Sequence, residues 1–409
     1  MSAHDEPVEA KQLRERMADG VIANRAIINA SLPPDIEAAL RAVPRHLFLP
    51  DLDLEAAYAE DAPVMKRDEL GVAISSVSAP SIMAMALDQA RIRPWQRVLE
   101  IGSGGYFAAL LTELVGTDGH VTTMDIDPDV TARATSTLKA AGYGDRVTVV
   151  TGDGEYGRCG EEFDRIIVTV GAADIPPAWL EQLVEGGRLV VPLRIRGLTR
   201  SVVFERSGDR LIGGGYEICG FVAMQGAGQS DQRLVCVHDA DVSLRVDDRQ
   251  PVEADALRKA MAMPPVEIWA PVTVARMEPF DDVDLWIATM AGSYARLTAT
   301  NAAIEAGVAR PVNRLGSSCI FDADSFAYLT ARPTSIEDQY EFGAVGYGPH
   351  ARSLAERLVQ HLTSWDSTHR HGPKPHIDAY PRTTPDTELP AGALVVEKPH
   401  TRLTISWPR

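Results

Sequence analysis

The chain has 409 residues, 45% of them hydrophobic, and a formal charge of −17 at neutral pH. That length predicts two domains with packed cores. The charge excludes a nucleic-acid surface, which needs a basic stripe, and it opposes an acidic polypeptide at long range, an effect screened within about 8–10 Å.

In chain order, residues 9–50 carry helical spacing that stops at Pro44 and Pro50, predicting an amino-terminal helical cap. Asp51–Val77 is a loop-rich lead into a Ser-Ala-Pro turn, and Ser81–Ala90 has helical spacing. Arg97–Phe107 then reads as a buried strand, a glycine turn and the apolar start of a helix. Further strands are predicted at Gly119–Asp125, Arg146–Gly154, Phe163–Thr169 and Gly187–Pro192, with helices at Val130–Ala141 and Pro177–Val184. Strands alternating with helices at this rhythm imply a parallel α/β sheet covered on both faces. Alternation over Ser201–Val222 predicts antiparallel strands closing that sheet.

Gly226–Ser230 is small and polar, which places a boundary there and divides the chain into residues 1–228 and 229–409. In the second part Arg233–His238, Val242–Val246, Val283–Thr289 and Ser317–Phe321 read as strands and Ala351–Ser364 as an amphipathic helix. Leu394–Trp407 reads as a closing hairpin, and the Pro- and Thr-rich Gly372–Leu389 as an extended loop. This part is α+β. Its Glu341–His350 either lines a peptide groove or forms a strand, a turn and a helix start. His369, His371 and His376 lack a completing ligand set and read as solvent-exposed, so no metal is expected. The basic Arg194–Arg200 is either a guide for acidic residues of a substrate or a solvated loop.

The chemistry centres on the glycine turn. Gly102 and Gly104 would let a ligand approach bare backbone, but Phe107 holds the third position of G-x-G-x-x-G, which disfavours a pyrophosphate ligand. Glu100 at the strand end suits a cationic ligand without phosphate, and S-adenosylmethionine, with its ammonium and sulfonium, fits that description. Asp125 ends the next strand where a ribose diol would be gripped, and Asp153, in a Gly-Asp-Gly turn, could accept from an adenine amino group. Cys159, Cys219, Cys236 and Cys319 have neither metal nor redox spacing, no run is long enough for a membrane span, and the start lacks a leader. These features lead to the expectation of a cytoplasmic protein.

Residues from about 10 to 228 resemble the protein-L-isoaspartate O-methyltransferases. The matching segments are Val43-Pro-Arg-His-Leu-Phe48, Ala57-Tyr58, Ser76-Val-Ser-Ala-Pro80, Val149–Gly154, Asp164–Val168 and Gly186–Leu189. The resemblance implies a Rossmann-like, doubly wound methyltransferase sheet with S-adenosylmethionine as cofactor. It places Ser78 beside the substrate carboxylate. Around the cofactor it places Ser75, Ser76, Val77, Gly102, Ser103, Gly104, Gly105, Tyr106, Ile126, Gly154 and Val170, together with Glu100, Asp125 and Asp153.

Four departures stand out. The glycine turn is one residue shorter than usual, Met65–Leu70 is inserted, Ser81-Ile-Met83 replaces a His-containing segment, and residues 229–409 continue past the family's usual end. The turn, the insertion and the extension resemble the peptide-maturation branch found with lanthipeptide, graspetide and lasso-peptide pathways. That branch implies a ribosomal precursor peptide as partner, recognised by residues 229–409, with one aspartate esterified and then closed to an aspartimide. Repair of isoaspartyl residues in damaged proteins is the first alternative, and a non-catalytic peptide-binding protein on the same fold is the second.

Overall fold

The computed structural model describes residues 7–408 apart from 28, 29, 70, 231, 248, 249, 277, 279, 314 and 315. Residues 1–6, on which the expectation about a leader rests, and Leu70 of the insertion lie outside the described residues. No described helix is long and apolar enough to cross a membrane.

The amino-terminal cap consists of α1 (Val8–Ile27), α2 (Pro34–Ala42) and α3 (Leu54–Tyr58). Leu13, Met17 and Val21 recur along one face of α1 and are buried. A hairpin of β1 (Val64–Arg67) and β2 (Ala73–Ser76) follows and contains most of the insertion, and α4 (Pro80–Ala90) leads into the sheet. The α/β core then runs β3 (Arg97–Ile101), α5 (Tyr106–Val115), β4 (His120–Asp125), α6 (Pro128–Ala140), β5 (Val147–Thr151), β6 (Phe163–Val168), α7 (Pro177–Gln182) and β7 (Leu183–Ile195). Proline opens α2, α4, α6 and α7, a position where its missing N–H costs nothing and its fixed φ suits the helix.

Strands β5, β4, β3, β6 and β7 lie side by side and parallel. Their order reverses between β3 and β6, the switch point at which α/β sheets open a crevice beyond the strand ends. Antiparallel β8 (Leu198–Ser207) and β9 (Arg210–Ile218) extend the sheet as the alternation predicted.

The second sheet is built from β10 (Arg233–His238), β11 (Val242–Val246), α8 (Ala254–Met261), β12 (Val266–Ala275), α9 (Asp281–Met290), β13 (Ala295–Ala299), α10 (Asn301–Glu305), β14 (Ser317–Phe321), β15 (Phe326–Pro333) and β16 (Gln339–Tyr347). Its strand order is β10-β11-β13-β14-β15-β16-β12, and α11 (Ala351–Thr368) packs against it through Leu354, Leu358, Leu362 and Trp365. The chain then returns. β17 (His376–Pro381), β18 (Leu394–Glu397) and β19 (Thr401–Ser406) join the first sheet beyond β9, giving it ten strands. Gly213 N donates to the Asp378 carboxylate at 2.8 Å across that seam.

Two expectations are corrected and one open alternative is decided. Val283–Thr289 lies in α9, because Val283, Leu285, Trp286, Ile287 and Ala288 are all buried and an apolar run buried on every side carries no strand period. Gly372–Leu389 contains β17, whose order comes from pairing with β19 and β9. Glu341–Tyr347 is part of β16, with Phe342–Tyr347 buried, so this stretch lines no groove.

One continuous apolar cluster runs from Leu99 and Ile166 through Val202 and Phe204 to Trp286, Phe342 and Trp365, and so joins the two sheets. A chain ended at Gly228 should therefore expose the β9 edge and half of that cluster. It is expected to unfold at a clearly lower urea concentration than the full chain and to bind a hydrophobic dye. Equal midpoints in urea titrations of the two proteins would contradict this.

Candidate functional site

Strand β3 is buried from Val98 to Ile101, and the chain leaves it over Gly102–Gly105. Gly102 has φ +101°, and a Cβ there would lie 2.7 Å from Thr169 Oγ1 and 2.9 Å from Val170 Cγ1. Only glycine fits both constraints. The turn is clamped on both sides: Gly102 N donates to the Met124 carbonyl at 2.8 Å, and Thr169 Oγ1 donates to the Gly102 carbonyl at 2.5 Å. Gly105, with φ +78°, starts α5, whose first residues Tyr106 and Phe107 are buried. Phe107 packs where a third glycine would stand in a dinucleotide site.

The acidic strand ends meet this turn. Asp125 Oδ2 accepts from Ser103 N at 3.0 Å and Oδ1 from Asp127 N at 2.9 Å, so one carboxylate fixes the backbone on both sides of the crevice. Burial holds its pKa above the ordinary carboxylate value, against the two amides that favour the charge. Glu100 lies opposite Thr123 in the sheet, is 1% exposed, and accepts from Thr123 Oγ1 at 2.6 Å. Burial, aided by the Asp125 charge, pushes it up to about 8.

Across the turn stand Ser75 and Ser76 of β2, followed by Val77 and Ser78. These four share with Glu100, Gly102, Ser103, Gly104 and Asp125 a cleft of ≈ 440 Å³. A second lobe of ≈ 380 Å³ continues past Asp125 to Ile126, Gly154, Val170 and Met224. The structure thus brings most of the expected residues together. Gly105 and Tyr106 lie behind the turn and line neither lobe. Asp153 also stands aside: its carboxylate accepts from Glu155 N at 3.0 Å and Ala227 N at 2.9 Å, which ties the 226–228 turn to the lobe's edge.

Sequence reasoning missed Ile74, Met83, Thr169 and the wall Val222–Gln225. That wall is set by tertiary contacts: Gly171 N donates to Val222 O, Met224 N to Gly171 O, and Gln225 Nε2 to Ile74 O at 3.2 Å. The basic Arg194–Arg200 segment is neither a substrate guide nor a solvated loop. Arg194 pairs with Asp247 at 2.6 Å, and Arg196 donates to the carbonyls of Ala288, Ala291 and Gly292 at the end of α9, latching one sheet to the other. His369 is half-buried between Trp286 and Trp407, with ring centroids 4.6 and 5.0 Å away, which corrects its expected exposure.

S-adenosylmethionine fits these residues on three observations. The glycine turn leaves no room for side chains where a ligand must touch backbone. Glu100 offers a buried carboxyl that a cation beside it would ionise. Ser103 Oγ is buried in the first lobe with no hydrogen-bond partner among the described residues, an acceptor and donor awaiting a ligand.

Glu100 also makes stability pH-dependent. In the unfolded chain its carboxyl titrates near about 4.3, whereas the folded chain keeps the proton up to about 8. Between those values the folded state binds more protons, so stability falls as pH rises. Glu100→Gln, which cannot titrate, is expected to gain on the wild type steadily from pH 5 to pH 8 in urea midpoints. Parallel midpoints across that range would contradict the assignment.

The protein-L-isoaspartate(D-aspartate) O-methyltransferase family matches residues 15–229. Among relatives, the protein-L-isoaspartate O-methyltransferase of Hyperthermus butylicus is 39% identical over 183 residues, covering 42% of this chain and 73% of that protein. The same enzyme of Methanoregula boonei is 37% identical over 206 residues, 50% of this chain and 88% of that one. A solved protein-L-isoaspartate O-methyltransferase structure aligns with 89% of this chain and 96% of its own at a TM-score of 0.49 and 21% identity. The chain belongs to the protein-L-isoaspartate(D-aspartate) O-methyltransferase family and is an S-adenosylmethionine-dependent methyltransferase.

Proposed function

We propose that the protein methylates the free α-carboxylate of an isoaspartyl residue in a polypeptide, the activity named for its relatives. The observation that supports this best is the position of Ser78 in the first lobe, facing the same cleft as Glu100, Ser103 and Asp125. When bound, the cofactor supplies an electrophilic methyl on a sulfonium. A carboxylate oxygen forms the new O–CH3 bond, the C–S bond breaks, and its electron pair stays on sulfur as a neutral thioether.

Such a carboxylate is ionised at neutral pH, with an ordinary pKa of about 3.5, so the reaction needs no general base. The work left to the protein is alignment and exclusion of water. Glu100, Ser103 and Asp125 would hold the cofactor at the glycine turn, and Ser78 would donate to the carboxylate and turn one oxygen toward the methyl. Ser75, Ser76 and Val77 form the wall between the two ligands.

A second reading concerns the substrate. Residues 230–409 lie beyond the family match, yet their last strands complete the catalytic sheet, an investment that loose recognition of damaged proteins does not require. This favours a dedicated partner: a ribosomal precursor peptide with one aspartate, esterified here. The next residue's backbone nitrogen would then attack the ester and release methanol, leaving an aspartimide. The relatives' names support the isoaspartyl reading and the extension supports the precursor reading. Incubating the protein and S-adenosylmethionine with a panel of isoaspartyl peptides, and with candidate precursors encoded beside its gene, separates them by mass spectrometry. Turnover of many unrelated isoaspartyl peptides supports the first, and turnover of one precursor alone supports the second.

Ser78→Ala is expected to bind S-adenosylmethionine as the wild type does while methylating about a hundredfold more slowly, the scale of a misaligned attack. Calorimetry and initial rates measure the two effects. A wild-type rate in that variant would remove Ser78 from the substrate side.

A further inference from the structure

Arg45 opens the short turn Arg45–Phe48 after α2 and is fully buried. Its Nε donates to the Ala57 carbonyl at 2.9 Å, and its Nη2 donates to the Ser78 carbonyl at 3.0 Å, with the Asp61 carbonyl at 3.5 Å. The guanidinium lies 4.9 Å from the centroid of the Tyr106 ring, and Nη1 meets the Met83 sulfur at 4.0 Å. Every one of these acceptors is neutral, and among the described residues no carboxylate forms an ion pair with Arg45. A charge taken out of water without a counter-charge is strongly unfavourable, and burial draws the Arg45 pKa downward. Two of the groups it touches, Ser78 and Met83, line the first lobe of the cleft.

We propose that Arg45 is a positioning residue whose buried charge, set behind Ser78 and Met83, acts as the standing counter-charge for the substrate's carboxylate. This rests on the reading of the first lobe as a carboxylate site. The charge serves a reaction that otherwise contradicts itself. Alignment with the methyl requires the carboxylate to lose water, and desolvation raises its pKa and removes the nucleophile. A cation held in the protein, rather than on its surface, keeps the oxygen ionised without pairing with it directly and so leaves its lone pairs free for attack. The Ser78 carbonyl, pinned by Nη2, also fixes the loop that presents the serine hydroxyl.

The groups facing Arg45 do not perform this role for it. Tyr106 on α5 is buried, its hydroxyl has no hydrogen-bond partner among the described residues, and its own ionisation is pushed well up by burial. Tyr58 on α3 lies 2.8 Å from His46 Nδ1 on the Arg45 turn. Glu60 and Asp61, between α3 and β1, are exposed, and Glu60 accepts from Ser81 N at 3.0 Å. Arg14 of α1 adds a second positive charge near Tyr106. No anion among them lies within ion-pairing distance of the guanidinium.

The test uses the full chain as wild type, Arg45→Lys and Arg45→Met, with an isoaspartyl peptide or an accepted precursor as substrate. Arg45→Met is expected to bind S-adenosylmethionine within about twofold of the wild type. Its KM for the carboxylate peptide should rise about tenfold or more, the scale of losing a buried charge partner, and the deficit should widen as pH falls from 8 to 6. Arg45→Lys should recover much of the loss. A folded Arg45→Met with wild-type KM and pH profile overturns the proposal, as does a pH-independent loss that lysine does not relieve, which marks a structural staple. If Arg45→Met does not fold, competition in the wild type decides. The carboxylate peptide should bind about tenfold or more tighter than its amide counterpart, at low and at raised salt alike, because a buried charge is poorly screened. Equal binding of acid and amide overturns the proposal. A wild type that binds S-adenosylmethionine yet methylates no peptide carboxylate removes the reading on which it rests, which the variants by themselves cannot do.

Discussion

The geometry of the cleft depends on one carboxylate, Asp125, placed at the end of β4 where the parallel sheet stops supplying hydrogen bonds. Its two oxygens accept from Ser103 and Asp127, so the turn after β3 and the turn after β4 are set by the same side chain. A backbone amide at a strand end must find some acceptor, and here that need determines the shape of the crevice. Gly102 then has no freedom left: its N–H is held by Met124, its carbonyl by Thr169, and its Cα faces Thr169 and Val170 too closely for any side chain. The rest of the site, including the serine strand opposite, is arranged around this fixed turn.

The far wall is held from farther away. Thr169 and Val170 line the cleft, and the next residues tie that wall to three other parts of the chain. Gly171 bonds to Val222 and Met224, Ala172 to Pro192 and Arg194, and the Asp174 carboxylate to His400 N at 2.6 Å and Thr401 Oγ1 at 2.5 Å. His400 Nε2 in turn lies 3.0 Å from Glu155, beside the second lobe. Residues near the end of the chain therefore brace a loop that touches the cofactor cleft, and the Arg194–Asp247 pair braces the same loop from the second sheet. The extension is built into the catalytic unit as well as added to it.

The strand ends and the glycine turn were legible in the sequence because each is a local device: a run of Val, Leu and Ile, a glycine that must take positive φ, and an acid two residues away. Ser75–Ser78 became legible through the resemblance, not through any period, since a four-residue strand followed by a proline turn carries almost none. The wall Val222–Gln225 was hidden because its conformation is imposed by Gly171, some fifty residues earlier in the chain. Arg194 and Arg196 read as a basic run, and their partners, Asp247 and the end of α9, could not be seen from the sequence around them. The same is true of β17, whose Pro- and Thr-rich surroundings suggest a loop and whose order comes from β19 and β9. Asp153 is the converse case: the residue type suits a ligand, but the side chain lines neither lobe and accepts from the backbone of Glu155 and Ala227 at the rim.

A crystal structure of the full chain with S-adenosylhomocysteine and a carboxylate-bearing peptide decides whether cofactor and carboxylate meet between the glycine turn and the serine strand. The thioether sulfur is expected in the first lobe, the ribose at Asp125, the adenine beyond it toward Ile126 and Gly154, and a peptide carboxylate oxygen on Ser78 in line with the sulfur. A nucleoside seated against Ser78, or a peptide carboxylate bound away from the serine strand, would contradict this arrangement.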